Sequence, residues 1–119
     1  MQIITTFRDM ESSPALQATV ERWAARLEHV FDRIVECHVS IEKPHRHHLH
    51  GLPFEINVVI SVPGAQLTVS KQTHEDAYVA VANAFRAARR QLLDHADLRR
   101  HFVKGPTGGR YTGFVASKL

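Results

Sequence analysis

The sequence predicts an α+β domain in the order β-α-β-β-β-α, a four-stranded, antiparallel-rich sheet with two helices packed on one face. Three observations carry this expectation. Two stretches repeat apolar residues at helical spacing, several others alternate apolar and polar residues with the period of a strand, and 119 residues hold one core with no room for a second domain of ordinary size. Runs of strands combined with helices of one-sided polarity give a two-layer architecture.

Gln2 to Phe7 are rich in β-branched residues and stop at the turn-prone pair Arg8-Asp9, which makes them the first strand. Ser12-Ser13-Pro14 then supplies an N-cap and a proline at the first helical position. The apolar residues Leu16, Val20, Trp23, Ala24, Leu27, Val30 and Phe31 follow at the spacing of one helix face. Val35, Cys37, Val39 and Ile41 alternate with Glu36, His38, Ser40 and Glu42, so the second strand has one buried and one wet face, with Cys37 on the buried one. Phe54, Ile56, Val58, Ile60 and Val62 alternate in the same way. Pro63-Gly64 turns the chain into a short last strand through Leu67, Val69 and Lys71.

The second helix is expected to start near Thr73, which caps it, with Glu75 and Asp76 at the positive end of the helix dipole. Its core stripe reads Tyr78, Val81, Phe85, Ala88 and Leu92. Beyond Leu98, Gly105-Pro106-Thr107-Gly108-Gly109 reads as a flexible linker. The expected organisation is therefore a domain over residues 1–98 and a basic tail over residues 99–119.

With 44% hydrophobic and 23% charged residues the composition is that of a folding, globular chain. Cys37 is the single cysteine and has no intramolecular disulfide partner, Met1 to Asp9 lack the positively charged start and apolar run expected of a signal peptide, and no apolar run is long enough for a membrane-spanning helix. A cytoplasmic protein with no membrane association is the expectation.

The net charge of +3 is unevenly distributed: residues 1–98 are formally −2 and residues 99–119 are +5. Any anion-binding site in the body must then be a local face. Arg22, Arg26, His29 and Arg33 recur every three or four residues, which stacks them along one flank of the first helix, and Glu21 and Glu28 fall on the other. Arg86, Arg89 and Arg90 put three guanidiniums within five residues of the second helix. Two such strips on helices lying side by side would line one continuous surface. The planar fork of arginine suits phosphate, so an RNA backbone is the matching ligand, against the plainer reading of two solvated helix faces.

His45-Arg46-His47-His48-Leu49-His50 is a second unusual segment. The imidazoles of His45, His47, His48 and His50 could hold zinc or nickel, although a structural zinc site ordinarily draws thiolates and ligands from separate elements. The plainer reading is an exposed loop that gains charge in mild acid. No phosphate loop, metalloprotease or nucleophile-turn motif occurs, and the adjacent His74, Glu75 and Asp76 fan out around a helix start rather than converging. Neither an enzyme nor a cofactor or small-molecule substrate is expected. Trp23, Phe31, Tyr78 and Phe85 sit at core spacing and read as packing, whereas Phe102, Tyr111 and Phe114 lie among the basic residues of the tail and could stack on bases.

Taken together in order, several short motifs resemble those of the ribosome hibernation promoting factor family in its short form, which includes ribosome-associated inhibitor A and the sigma-54 modulation proteins. The most specific are His74-Glu75-Asp76-Ala77-Tyr78 and Arg90-Gln91-Leu92. Supporting ones are Arg8-Asp9-Met10-Glu11, Arg26-Leu27-Glu28, Phe31-Asp32-Arg33-Ile34 and Val62-Pro63-Gly64, so that the resemblance covers residues 1–93. It implies a fold like that of double-stranded-RNA-binding domains and a non-enzymatic role. Family members bind the small ribosomal subunit in the channel used by messenger and transfer RNA and silence idle ribosomes in stress or stationary phase. Arg8, Arg26 and Arg90 match basic positions of the family motif. Arg22, Arg33, Lys71, Arg86 and Arg89 join them from the face argument, and the implied role of all eight is contact with 16S ribosomal RNA phosphates.

Three features depart from that pattern: the long histidine-rich loop over residues 43–53, Ala87 where relatives often carry a basic residue, and a body that is not net positive. The tail is too short for the dimerisation domain of long-form factors, which argues against their route to ribosome dimers. Oligomeric state is left open by the sequence.

Overall fold

The computed structural model describes residues 1–44 and 52–104, with side chains up to Leu98. Its elements follow the expected order: β1 (Gln2–Arg8), α1 (Pro14–Val30), β2 (Glu36–Glu42), β3 (Phe54–Val62), β4 (Ala65–His74) and α2 (Ala77–Lys104). The four strands form one sheet in the order β1-β2-β3-β4. β1 pairs parallel to β2, a pairing that requires a crossover, and α1 provides it. The other two pairings are antiparallel.

α1 begins as its sequence dictates. The Leu16 N–H donates to Ser13 Oγ at 3.2 Å, and Pro14 occupies a position whose N–H has no helical partner in any case. The helix ends at Phe31, whose backbone turns extended at φ −149°, ψ 110°. Arg33 therefore lies past the helix end and does not continue the flank of Arg22, Arg26 and His29, as the spacing alone predicted.

The start of α2 also differs from expectation. Thr73 is still in β4, paired with Glu55, and the cap is Asp76, whose Oδ1 accepts the N–H groups of Tyr78 at 2.8 Å and Val79 at 3.4 Å. His74 Nδ1 in turn accepts the Asp76 N–H at 2.9 Å. A carboxylate reaching two orphan N–H groups at the positive end of the dipole outcompetes a threonine three residues earlier. Replacing Asp76 by Ala is expected to lower stability by about 1 kcal/mol, and Thr73→Ala by less than about half of that, in urea titrations of the two variants.

Tyr78, read as the first residue of the core stripe, is instead 47% exposed, and Ala77 takes the buried place beside Ala80 and Val81. Tyr78 lies in the first turn of α2, at the Asp76 cap, and the phase of the stripe itself is unchanged. Farther along, Val81, Phe85, Ala88 and Leu92 are buried as predicted. α2 runs on across Leu98 to Lys104, and the residues from Gly105 onward lie outside the described residues.

The core lies between the helices and one face of the sheet, with Val39, Ile41, Ile56, Val58 and Ile60 facing Val20, Ala24, Leu27 and the α2 stripe. Val35 was assigned to the buried face but precedes β2 and is 58% exposed. Ser40, assigned to the wet face, is buried, because Asn57 on the next strand covers it and donates to its Oγ at 3.4 Å. β3 and β4 meet through Pro63 and Gly64. Gly64 has φ +80°, a left-handed value that glycine adopts without a Cβ penalty. β4 is longer than predicted and carries an irregularity opposite Ile56 and Val58, where Lys71 takes φ +57° and its N–H donates to Asn57 Oδ1 at 2.9 Å.

Cys37 is fully buried on β2, as the alternation required. Burial, helped by the charge of Glu36, pushes its thiol from 9.0 up to about 12. The folded value lies above the unfolded one. Its contribution to stability is therefore fully present below about pH 9 and is lost as pH rises toward 12. At about pH 8 an aromatic disulfide reagent is expected to leave the native thiol unlabelled over minutes and to label it at once in concentrated guanidinium.

Candidate functional site

Both helices leave the same end of the sheet. α1 follows the end of β1 and α2 follows the end of β4, and these two ends lie on the same side through the registers Arg8↔Glu42, Glu42↔Glu55 and Glu55↔Thr73. The helices consequently run side by side in the same direction, and residues equally far along them face one another. Trp23 meets Phe85, with ring centroids 6.2 Å apart and planes 17° from parallel, and Phe31 meets His95 edge-on at 5.7 Å.

At the first of these meetings the helices part to form a groove of about 160 Å³ lined by Trp23, Arg26, Leu27, Phe85, Arg86 and Arg89. Its floor is apolar and its rim cationic. The Arg26 guanidinium carbon lies 4.8 Å from the centre of the Trp23 ring, and that of Arg86, from the other helix, lies 5.7 Å from it. A guanidinium over an indole face is held by the ring quadrupole, which orients a side chain that would otherwise sample many rotamers. Arg86 is further fixed by its Nη1 donating to Asn83 Oδ1 at 3.1 Å. Among the described residues no carboxylate pairs with Arg26, Arg86 or Arg89.

The remaining predicted residues divide into three groups. Arg22, one turn before Arg26, is exposed and donates through Nη2 to Thr19 Oγ1 at 3.0 Å, while that hydroxyl donates onward to the Ala15 carbonyl. Arg90 is exposed on α2 beside Arg89. These two extend the cationic layer of the helices. Arg8 and Lys71 sit near the end of the sheet where the helices begin, on opposite edge strands. Arg8 is in register with Glu42 and so belongs to the sheet face away from the helices, where Glu42 and Glu55 are also neighbours in register. Arg33 lies near the opposite end, between α1 and β2.

Thus the structure brings Arg26, Arg86 and Arg89 together, leaves Arg22 and Arg90 on the same layer, and keeps Arg8, Lys71 and Arg33 apart from the groove. Leu27, Phe85 and Trp23, which sequence reasoning assigned to packing, also line the site, and the one of them that meets two guanidiniums is Trp23. Its spacing of three to Arg26 was the available signal, since that offset puts a cation beside a ring on one helix face. His45, His47, His48 and His50 lie outside the described residues, and among the described residues no group of three histidine, cysteine or acidic side chains could hold a metal. Tyr111 and Phe114 lie outside as well, and α2 includes the backbone of Phe102.

The two most specific motifs also have physical roles. In Arg90-Gln91-Leu92, Leu92 is in the core, Gln91 Nε2 donates to the Thr68 carbonyl of β4 at 3.0 Å and so ties α2 to the sheet, and Arg90 points to solvent. His74 to Tyr78 form the helix cap described above.

The family model described as Sigma 54 modulation protein / S30EA ribosomal protein matches residues 3–100. A curated relative, the ribosome hibernation promoting factor of Azotobacter vinelandii, is 31% identical over 99 residues, which span 82% of this chain and 84% of that one. Among solved structures, a ribosomal subunit interface protein from Coxiella burnetii aligns with a TM-score of 0.70 at 21% identity, over 82% of this chain and 99% of its own. The N-terminal domain of Thermus thermophilus Protein Y aligns at 0.63 and 22% identity, over 77% of this chain and 96% of its own. The two structural likenesses establish the α+β fold with its four-stranded mixed sheet and two helices.

Proposed function

The chain belongs to the Sigma 54 modulation protein / S30EA ribosomal protein family, and from that premise we propose that it is a ribosome hibernation factor that binds the small subunit with its helix layer. The observation that carries this reading is the convergence of Arg26, Arg86 and Arg89 from two helices on one groove, flanked by Arg22 and Arg90. A body of formal charge −2 does not bind a polyanion by net attraction. A local cationic layer does where its guanidiniums are not neutralised: among the described residues no carboxylate pairs with Arg26, Arg86 or Arg89, and Glu42 and Glu55 belong to the opposite sheet face.

In this reading the arginines contact 16S ribosomal RNA phosphates, which position the protein without reading base sequence. The protein acts by occupying the decoding channel and excluding messenger and transfer RNA, with no catalytic step, in the cytoplasm of cells whose ribosomes are idle. Arg8, Lys71 and Arg33 would touch RNA only around the two ends of the helix layer, and the basic residues of the tail would add auxiliary contacts.

The test is co-sedimentation with ribosomes through a sucrose cushion over a salt series, with messenger RNA and initiator transfer RNA as competitors. Five phosphate contacts predict a log-log slope of affinity against salt of roughly −4. Competitor-sensitive binding with such a slope is the expected result. Binding that ignores both competitors would move the site away from the decoding channel, and no binding at low salt would remove the ribosomal role.

A further inference from the structure

We propose that the groove between α1 and α2 is a subsite for one unpaired nucleotide unit, whose phosphate is taken by the guanidiniums of Arg26, Arg86 and Arg89 and whose base enters against Trp23 and Leu27. This rests on the RNA-binding reading above and gives it a specific point of contact.

The groove joins two features that a phosphate-only surface does not need. Its rim holds three cations without a carboxylate partner among the described residues, and its floor is apolar and aromatic. Bringing like charges together carries an electrostatic penalty, which the Trp23 ring offsets by attracting two of them, and an anion arriving at the rim removes the rest. An arginine whose plane is engaged by a ring keeps its N–H groups in that plane for two parallel bonds to phosphate. Phe85 backs Trp23 from within the core, so the ring is a fixed wall rather than a mobile one.

A ligand that uses both parts must itself be planar and weakly polar at one end and anionic at the other. A nucleotide is that. Base-paired RNA hides its bases in the stack and would touch only the rim, whereas an unpaired nucleotide can place its base beside aromatic rings or guanidinium planes.

Trp23 is the single tryptophan of the chain, so its fluorescence reports on this groove directly. The wild-type protein is titrated with a short oligouridylate, with AMP, with pyrophosphate, and with a blunt RNA duplex of the same length as the oligouridylate. Saturable quenching by the oligouridylate at concentrations at least tenfold below those needed for duplex and pyrophosphate is expected. AMP separates the two sources of the same chemistry: quenching at oligouridylate concentrations identifies a free nucleotide as a sufficient ligand, and weaker quenching identifies the RNA strand. Arg86→Met should weaken the response at least tenfold while leaving the urea midpoint unchanged. Duplex or pyrophosphate acting as well as the oligouridylate, or no response to either AMP or oligouridylate, would overturn the subsite.

The cushion experiment keeps the two levels apart. Wild-type protein that sediments with ribosomes yet shows no fluorescence response loses the subsite and retains the ribosomal role. Protein that responds to oligouridylate yet fails to sediment retains the subsite and loses the role.

Discussion

Simultaneous Arg26→Glu, Arg86→Glu and Arg90→Glu substitution is expected to lower affinity for ribosomes by more than about 100-fold at low salt and to flatten the salt dependence by about three units of slope. All three side chains are exposed and none pairs with a carboxylate among the described residues, so their loss leaves no buried charge and should leave the fold intact. The reversal removes three phosphate contacts and adds three repulsions on one layer. Arg8→Glu provides the contrast. Arg8 sits in register with Glu42 on the other face of the sheet, and its reversal is expected to change affinity by no more than a few fold. Equal losses from Arg8 and from Arg86 would mean that the ligand approaches around the end of the sheet rather than across the helices. Co-sedimentation of each variant, after its urea midpoint has been matched to wild type, is the measurement.

Phe85→Ala is expected to destabilise the domain by about 3–5 kcal/mol, the largest stability effect of any single truncation considered. Phe85 is 1% exposed, is the largest of the fully buried side chains, and stacks on Trp23 across the helix pair. Truncation leaves a cavity in the core between the helices and the sheet, and the stiff β-branched residues that make up much of that core collapse poorly into it. Against a total stability of about 5–15 kcal/mol, such a loss populates the unfolded chain at ambient temperature if the domain lies at the low end. Phe85→Leu keeps most of the volume and should cost less than about half as much. The same position supports the groove, because Phe85 sets the plane of Trp23. Phe85→Leu should therefore alter the tryptophan emission of the folded protein even where stability is nearly retained, which separates a packing role from a site role in one sample.

Much of the fold was legible because period and punctuation survive in a linear string. The alternation from Phe54 to Val62 fixed β3 to the residue, and Ser13-Pro14 fixed the start of α1. Cys37 could be placed in the core from its neighbours alone. The errors share one cause, which is competition between local signals that only three-dimensional partners resolve. Thr73 is a good cap in isolation, but its pairing with Glu55 keeps it in β4 and passes the role to Asp76. Ser40 alternates as a wet residue should, yet Asn57 from the next strand covers it.

The same division holds for the candidate site. By itself the sequence determined that arginines recur at helical spacing on two segments, that the body carries no net positive charge to bind a polyanion indiscriminately, and which family motifs are present, since all of these depend only on the order of residues. Only the tertiary structure decided that the helices run side by side in one direction, so that Trp23 faces Phe85 and the guanidiniums of Arg26 and Arg86 meet over a single ring. It also separated Arg33, Arg8 and Lys71 from that meeting point. The physical reason is that helical period fixes the angle of a side chain about its own axis, whereas the pairing of β1 with β2 and of β3 with β4 fixes which axes lie next to each other, and that pairing is a property of the closed sheet.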